Sequence, residues 1–374
     1  MADILSKGSL FPEPLVTDMI NLVRGKSSLA RLSQARPIPF NGEKVFTFNF
    51  DSEVDIVAEN GAKSNGGGEI ATVSMAPIKV EYGMRVSDEF RFASEEVRLE
   101  YLQAFAEGFA SKVARGIDIM AFHGMNPRSR QAAADTIGNN HFDSKVLQTI
   151  SFNASAPADC VQSAIELVEE KEHEVTGMAM APVMKNALAT LKKGSSSYEP
   201  LFPELAWGAN PGTLNGLPVD TNSTVSYQGN ADKAIVGNFR DYFRWGYSRQ
   251  MPIEIIEYGN PDNSAAGDLK GHNQIYIRGE AYIAWAILVP SAFARIIGSA
   301  VSLSATKVTI TTAAGTTLTA TTVPSGQTVT WASANTGVAT VSTSGVITGV
   351  AAGKTKVSAT YSTATAECDV IVTG

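Results

Sequence analysis

Cysteine is nearly missing from this chain: Cys160 and Cys368 are the only two in 374 residues. They lie far apart, in segments of different character, so they form no disulfide framework. Such usage fits folding in a reducing cytoplasm. Long apolar runs are missing too. The longest, Ala281 to Val289, has the length of a strand, whereas a membrane span needs about 18 apolar residues. The opening Met1-Ala2-Asp3-Ile4-Leu5-Ser6-Lys7-Gly8 has no basic stretch leading into an apolar one, so no signal peptide is expected. Positive charge is in deficit, with 30 Lys and Arg against 37 Asp and Glu, a net of −7. That excludes nucleic-acid binding through a broad basic face, which needs cations to neutralise phosphates. It does not exclude a container for DNA, because a neutral or acidic inner wall would help release.

The chain is also poor in the residues that do chemistry. Its four histidines, His123, His141, His173 and His272, make no H-E-x-x-H or other close ligand pair, so no metal site is expected. No nucleophile elbow, paired Cys-His word or dinucleotide fingerprint occurs. Gly66-Gly67-Gly68 reads as a flexible loop tip and not as a phosphate cradle. No catalytic, metal or cofactor-binding residue is assigned, no cofactor is expected, and an enzyme is the least favoured reading.

One absence is local. From Val301 to Gly374 there is no Arg, Phe or Met; Lys307, Lys354, Lys356, Glu367 and Asp369 are the only charged residues. This places a domain seam near Ala300. What the tail has is Thr, Ser, Ala, Val and Gly in alternating runs. These include Lys307-Val308-Thr309-Ile310-Thr311, Lys356 to Tyr361 and Cys368 to Val372, separated by turn residues. Beta-branched residues alternating between turn signals predict a small all-β sandwich, with Trp331 as its buried anchor and Cys368 in its core. Gly349 to Thr355 falls one residue short of a phosphate-binding loop and leads into a strand, not a helix, so nucleotide binding is not expected there. Thr330-Trp331-Ala332-Ser333-Ala334-Asn335, Val338 to Ser342, Ser344 to Gly349 and Ala352 to Val357 follow one another in an order that closely resembles the bacterial Ig-like domain group 2 family.

The first 300 residues read as α+β. An arm over 1–36 carries Arg24, Lys26 and Arg31, either solvated or reaching a neighbouring subunit. Lys44 to Phe50 alternates as a half-buried strand with Phe46, Phe48 and Phe50 on one face, and Ile70 to Val86 resumes the strand pattern. The polar stretch between them makes an extended hairpin, which is marginal alone and should pack on something beyond this chain's core. Val97, Leu102, Phe105, Phe109, Val113, Ile117 and Met120 then step by three or four through most of a long helix, over about 88–123, ended by Gly124 and Pro127. Further helices are expected from Asp159 to Val175, with Cys160 as core, and from Pro182 to Lys193. Strands are expected at Met178–Ala181, around Leu217 and Ile235, at Tyr242–Tyr247, Ile253–Ile256 and Ile275–Ile277, and at Tyr282–Val289.

This order of parts resembles the HK97-type capsid fold of tailed-phage major capsid proteins. The words that carry it are Ala58-Glu59-Asn60-Gly61-Ala62-Lys63, Leu214-Asn215-Gly216-Leu217-Pro218-Val219, Ala234-Ile235-Val236-Gly237-Asn238-Phe239 and Val289-Pro290-Ser291-Ala292-Phe293. The resemblance implies a capsid domain over 1–298: an N-arm at 1–36, an extended loop at about 51–73, a spine helix at about 88–123, an axial domain at about 158–247 and a peripheral return at 248–298. The Ig-like domain occupies 301–374. It further implies inter-subunit contact through Glu59, Lys63, Gly66, Gly67, Gly68 and Glu69 of the loop and through Arg24, Lys26 and Arg31 of the arm. Expected partners are other copies in hexamers and pentamers, portal and scaffolding proteins, a decoration protein, and double-stranded DNA enclosed without specific binding. The expected location is the virion capsid, assembled in the bacterial host cytoplasm, with weak host-surface or glycan contact by the tail. Some relatives crosslink a loop Lys to a neighbour's Asn; here that would pair Lys63 with Asn260, Asn263 or Asn273, against a plain surface ion pair. An encapsulin-like compartment and a surface adhesin are the alternatives.

Overall fold

The structure, a computed structural model, describes residues 26–50, 53–62, 65–194, 198–227, 231–249, 253–323, 326–361 and 364–374. The chain divides into two compact units, 1–146 with 238–292 and 147–237 with 293–374. The first unit opens with α1 (Ser28–Leu32), β1 (Glu43–Phe50), β2 (Gly68–Met75), β3 (Ile78–Ser87), α2 (Glu95–His123), α3 (Ala134–Ile137) and α4 (Phe142–Lys145). The second unit follows with β4 (Thr149–Ser151), α5 (Pro157–Glu169), β5 (Gly177–Met180), α6 (Pro182–Ala189), β6 (Thr213–Leu214), β7 (Leu217–Thr221) and β8 (Asp232–Gly237). The chain then supplies α7 (Phe239–Tyr242), β9 (Phe243–Arg249), β10 (Ile253–Ile256) and β11 (Gln274–Ile287) to the first unit, and β12 (Phe293–Ile297) to the second.

In the first unit β11 is the organising strand. It pairs β3 along one edge, and β10 then β9 along the other, all antiparallel. Its side chains alternate as a half-buried strand demands. Ile275, Ile277, Ala281 and Ile283 are fully buried, while Arg278 and Glu280 face the opposite side with Lys79, Glu81 and Arg85 of β3. Those charges pair with one another: Lys79 Nζ to Glu280 at 2.8 Å and Arg278 to Glu254 at 2.9 Å. The buried side receives α2. Phe109 lies where a side chain on Gly279 would stand, 2.9 Å from the position of its Cβ.

Helix α2 runs for 29 residues, about 43 Å at 1.5 Å per residue. Ser94 caps it by accepting from the Val97 N–H, and Gly124 ends it in the left-handed conformation, φ 63°. Ser87 instead caps a 3-10 turn over Asp88–Phe92, so the helix starts later than 88. From Leu102 to Val113 the buried positions step by three or four; from Gly116 to His123 every residue is buried. Its C-terminal third is therefore core on all sides.

The ribbon of β1 and β2 pairs from Glu43↔Met75 to Phe50↔Gly68. The run expected from Ile70 to Val86 is two strands, broken at Ala76-Pro77 because Pro lacks the N–H a ladder needs. The base of the ribbon packs within its own unit: Val45, Val73 and Met75 meet Ile38, Ala284, Ala286 and Leu288.

The second unit holds a six-stranded sheet in the order β4-β12-β8-β5-β7-β6. Helices α5 and α6 close over it, with Cys160, Ala164, Val168, Met184 and Leu188 packed on Met178, Met180, Val219, Val236 and Ile296. Arg295 of β12 donates Nε and Nη2 to Oδ1 of the fully buried Asp232 at 3.1 and 2.9 Å. These pairings move two expected boundaries. Tyr242–Tyr247 does not close the axial segment, because β9 hydrogen-bonds to β11 in the first unit. Phe293–Ile297 does not belong to the return, because β12 lies between β4 and β8. The helices expected to Val175 and Lys193 stop at Glu169 and Ala189.

The tail is all strand: β13 (Ala300–Leu303), β14 (Lys307–Thr311), β15 (Gly315–Thr317), β16 (Ala320–Val323), β17 (Thr330–Ser333), β18 (Ala339–Val341), β19 (Val346–Gly349), β20 (Gly353–Tyr361) and β21 (Ala364–Thr373). They form sheets β13-β16, β14-β21-β20-β17 and β15-β19-β18. Ile347, Val357, Cys368 and Val370 are its fully buried centre. Trp331 is half-buried against them, so it flanks the core where the sequence had placed it at the centre. Gly353, Lys354 and Thr355 open β20; no helix follows them, which removes the phosphate-loop resemblance.

Candidate assembly surfaces

Among the described residues, nothing covers the apolar side chains of the distal part of the ribbon. Phe46 and Ile70 are about six-tenths exposed, and Val54 and Ile56 beyond them are 94% and 96% exposed. Single exposed apolar residues are ordinary; a connected set on a projecting ribbon marks a contact surface. Ala58 to Gly61 form a turn, with the Gly61 N–H donating to the Ala58 carbonyl at 2.8 Å and Asn60 at φ 70°. Glu59, Gly66 and Gly67 are exposed, and Gly68 begins β2 opposite Phe50. Glu69 stands in β2 opposite Asn49. Lys63 lies outside the described residues.

A second uncovered apolar set precedes and opens α2. Phe92 is 87% exposed, and Val97 and Leu99 are about half exposed. In the second unit Trp207 is fully exposed on a left-handed backbone, φ 56°, with Tyr198 exposed on the same stretch of chain.

Of the arm residues, Arg24 lies outside the described residues, while Lys26 and Arg31 are exposed. The rest of the described arm is no solvated tether. Ser27, Ser28, Leu29 and Ala30 are buried, and Asp118 of α2, itself fully buried, caps α1. Its Oδ2 accepts from the Ser28 N–H at 3.0 Å; its Oδ1 accepts from the Leu29 N–H at 3.3 Å and from the Ser27 hydroxyl. Further along, the Arg36 and Ile38 N–H groups donate to Trp245 and Tyr247 of β9. Sequence reasoning missed Asp118, although a lone acid within Gly116-Ile117-Asp118-Ile119-Met120 was a signal: a buried carboxylate needs donors.

The loop between β10 and β11 is held by Arg85, also unforeseen. Its guanidinium grips Asp262 (Nε at 3.0 Å, Nη2 at 2.6 Å) and donates to Asn260 Oδ1, Gln274 Oε1 and the Gly267 carbonyl. The amide of Asn260 is occupied on both sides, since its Nδ2 donates to the Ser264 carbonyl at 3.0 Å. Asn263 and Asn273 adopt left-handed backbone, which Asn tolerates. All three Asn residues therefore have local structural work. The Arg85 guanidinium holds the Asp262 carboxyl well below the usual carboxylate range. A depressed carboxyl contributes stability above its unfolded pKa of about 3.9 and loses it as pH falls further. We expect limited proteolysis to spare 257–273 at pH 5 and to cut it below about pH 3; Arg85→Ala should expose it at pH 7.

Histidines find local partners: His123 Nδ1 lies 2.9 Å from Asp143 Oδ2, and His272 Nδ1 lies 2.9 Å from the Asp268 carbonyl.

Two families match the chain end to end: the Phage capsid family over residues 7–297 and the Bacterial Ig-like domain (group 2) over 299–370. No curated protein matches it. A solved chain from Mycobacterium phage Ogopogo is 28% identical, with a TM-score of 0.63 over 73% of this chain and 92% of that one. A chain from Gordonia phage Cozz is 22% identical, with a TM-score of 0.60 over 73% and 86%. The capsid of an empty GTA particle computed with C5 symmetry shares the fold at 14% identity, with a TM-score of 0.53 over 73% and 90%.

Proposed function

The chain belongs to the phage capsid family and is a major capsid protein that forms the shell, and from that premise we propose how its parts build that shell. Copies join as hexamers and pentamers, and the ribbon of β1 and β2, with the loop at its tip, lies across a neighbouring subunit. The observation that carries this is the exposure of Phe46, Val54, Ile56 and Ile70 on a ribbon whose base is packed. Burying those side chains on a neighbour would remove their apolar surface from water at about 25 cal/mol per Å². Glu59, Gly66, Gly67, Gly68 and Glu69 belong to that contact, as does Lys63. Phe92, Val97 and Leu99 form a receiving surface, and Arg24, Lys26 and Arg31 extend the contact from the arm.

The role is structural and not catalytic. The shell encloses double-stranded DNA without reading it, is built in the host cytoplasm, and works with portal, scaffolding and decoration proteins. The Ig-like domain projects from the shell and touches host-surface glycans weakly. Its last long strands are tied to the second unit's sheet by Tyr361, whose hydroxyl lies 2.9 Å from Ser151 Oγ. Neither an encapsulin-like compartment nor an adhesin is favoured, because the family match covers most of the chain. For Lys63 this reading expects no covalent crosslink: boiled particles should run as a monomer band at 39.6 kDa, and a ladder of higher bands would overturn it.

Replacing 51–67 by a short turn tests the central claim. The expected product is a folded subunit, unchanged in far-ultraviolet circular dichroism, that gives no shells by negative-stain microscopy. Normal shells from that variant would overturn the reading.

A further inference from the structure

The loop tip is acidic on one side. Residues 53–62 contain Glu53, Asp55 and Glu59 and no cation. All three are exposed, and none makes an ion pair among the described residues. Around Glu53–Ile56 the backbone forms no regular element, yet acidic and apolar residues alternate there, Glu53 and Asp55 with Val54 and Ile56. One strip of chain thus offers both carboxylates and greasy surface.

The opposite charge gathers at the far end of α2. After Gly124 the chain makes a tight turn. The Asn126 N–H donates to the Gln131 carbonyl, the Arg130 N–H donates to the Asn126 carbonyl, and Asn126 Oδ1 accepts from the Arg128 N–H at 2.9 Å. Met125 and Ala132 bridge its base. The turn folds back on the helix: Pro127 Cγ lies 3.6 Å from where a side-chain carbon on Gly116 would stand. Lys112 is one helical turn before Gly116, on the same stripe. The turn that carries Arg128 and Arg130 thus seats its Pro127 on the helix stripe that holds Lys112, and Lys112, Arg115, Arg128 and Arg130 are all exposed. Lys112, Arg128 and Arg130 enter no ion pair among the described residues. The turn's own hydrogen bonds fix where the two guanidinium groups start, so little conformational freedom is lost when they are engaged.

We propose that the acidic strip Glu53, Asp55 and Glu59 of one copy docks on the basic end of the spine helix, Lys112, Arg115, Arg128 and Arg130, of a neighbouring copy. This rests on the reading that the loop lies across a neighbour, and it names where the loop lands. The occupant is a second copy because the chain self-assembles and carries the complementary charge on its own projecting ribbon. Charge pairs of this kind set register and partner choice more than raw affinity. They also make assembly salt-sensitive, since the Debye length shrinks to about 3 Å at 1 M salt.

Charge reversal and its compensation form the test, made in the full chain under conditions where the unaltered chain forms shells. Arg128→Glu with Arg130→Glu, and separately Glu53→Lys with Asp55→Lys and Glu59→Lys, should each cut shell yield by about tenfold or more, because like charges then face each other. Circular dichroism should show both subunits folded; Arg128→Ala with Arg130→Ala, a milder change, should give an intermediate yield. Combining the two reversals should restore shells. A folded combined variant that still fails to assemble overturns the docking, while failure of the loop-replaced chain alongside it leaves the broader reading standing. Normal shells from the arginine reversal that hold less DNA would also overturn it, by assigning the basic end to packaged phosphate.

Discussion

Replacing Asp118 by Ala is expected to cost the first unit about 4 kcal/mol of stability, from the loss of charged hydrogen bonds and the donors left unpaired. The residue is fully buried in the part of α2 that is core on every side. Its carboxylate accepts from the Ser28 and Leu29 N–H groups and the Ser27 hydroxyl. The first N–H groups of a helix have no partner within the helix, so some outside acceptor must serve them. Ser27 serves one, accepting from the Ala30 N–H at 3.1 Å, and Asp118 serves the others. With Ala at 118, those donors stay buried without acceptors, and the arm must come off the helix to reach water. Asn keeps one acceptor oxygen and should recover part of the loss. Denaturant unfolding followed by tryptophan fluorescence measures it, because Trp245 and Trp285 are fully buried in this unit. A loss below about 1 kcal/mol, the scale of an ordinary exposed cap, would show that the carboxylate is not the arm's anchor.

The sequence made the ribbon, the long helix and the Ig-like tail legible because each is written in local periodicity. Phe46 to Phe50 alternates, Leu102 to Met120 steps by three or four, and the tail repeats short alternating runs between turns. The helix start was less legible: the expected start near 88 is a 3-10 turn capped by Ser87, and the helix begins only after Ser94. What sequence concealed is non-local. Whether Phe243–Arg249 joins one sheet or another depends on β11, whose pairing residues lie more than 30 positions further along. Phe293–Ile297 looks like the end of a return until its ladder with Asp232–Gly237 is seen. Of the assembly surfaces, the Gly-rich tip and Glu59 were visible as a polar stretch between strands. The basic end of the helix was not, because Lys112 and Arg128 are joined only by the fold-back of Pro127 on Gly116. The arm misled most: its visible cations suggested a solvated segment, while Ser27 to Ala30 carry the burial.

The same arm supplies the other large effect. Gly246→Ala should cost about 3 kcal/mol or more, the upper range for forcing atoms into packed structure. A Cβ on Gly246 would stand 1.7 Å from the Arg36 carbonyl oxygen and 2.8 Å from its carbon. That obstacle is backbone, so no rotamer change relieves it. The arm must lift, and lifting breaks the Arg36 N–H bond to Trp245 O at 2.9 Å and the Ile38 N–H bond to Tyr247 O at 3.1 Å. It also draws Ile38 out of its packing with Met75 and Ala284, where the ribbon's base is seated. The expected signs are a lower denaturation midpoint and early proteolysis within 26–38. Asp118→Ala and Gly246→Ala unseat one segment from two ends, so their costs should not add. If the arm docks as a unit, the double variant loses little more than the worse single one, a coupling approaching about 3 kcal/mol. Full additivity would mean that 27–30 and 36–38 are held independently, and that the arm has two separate anchors.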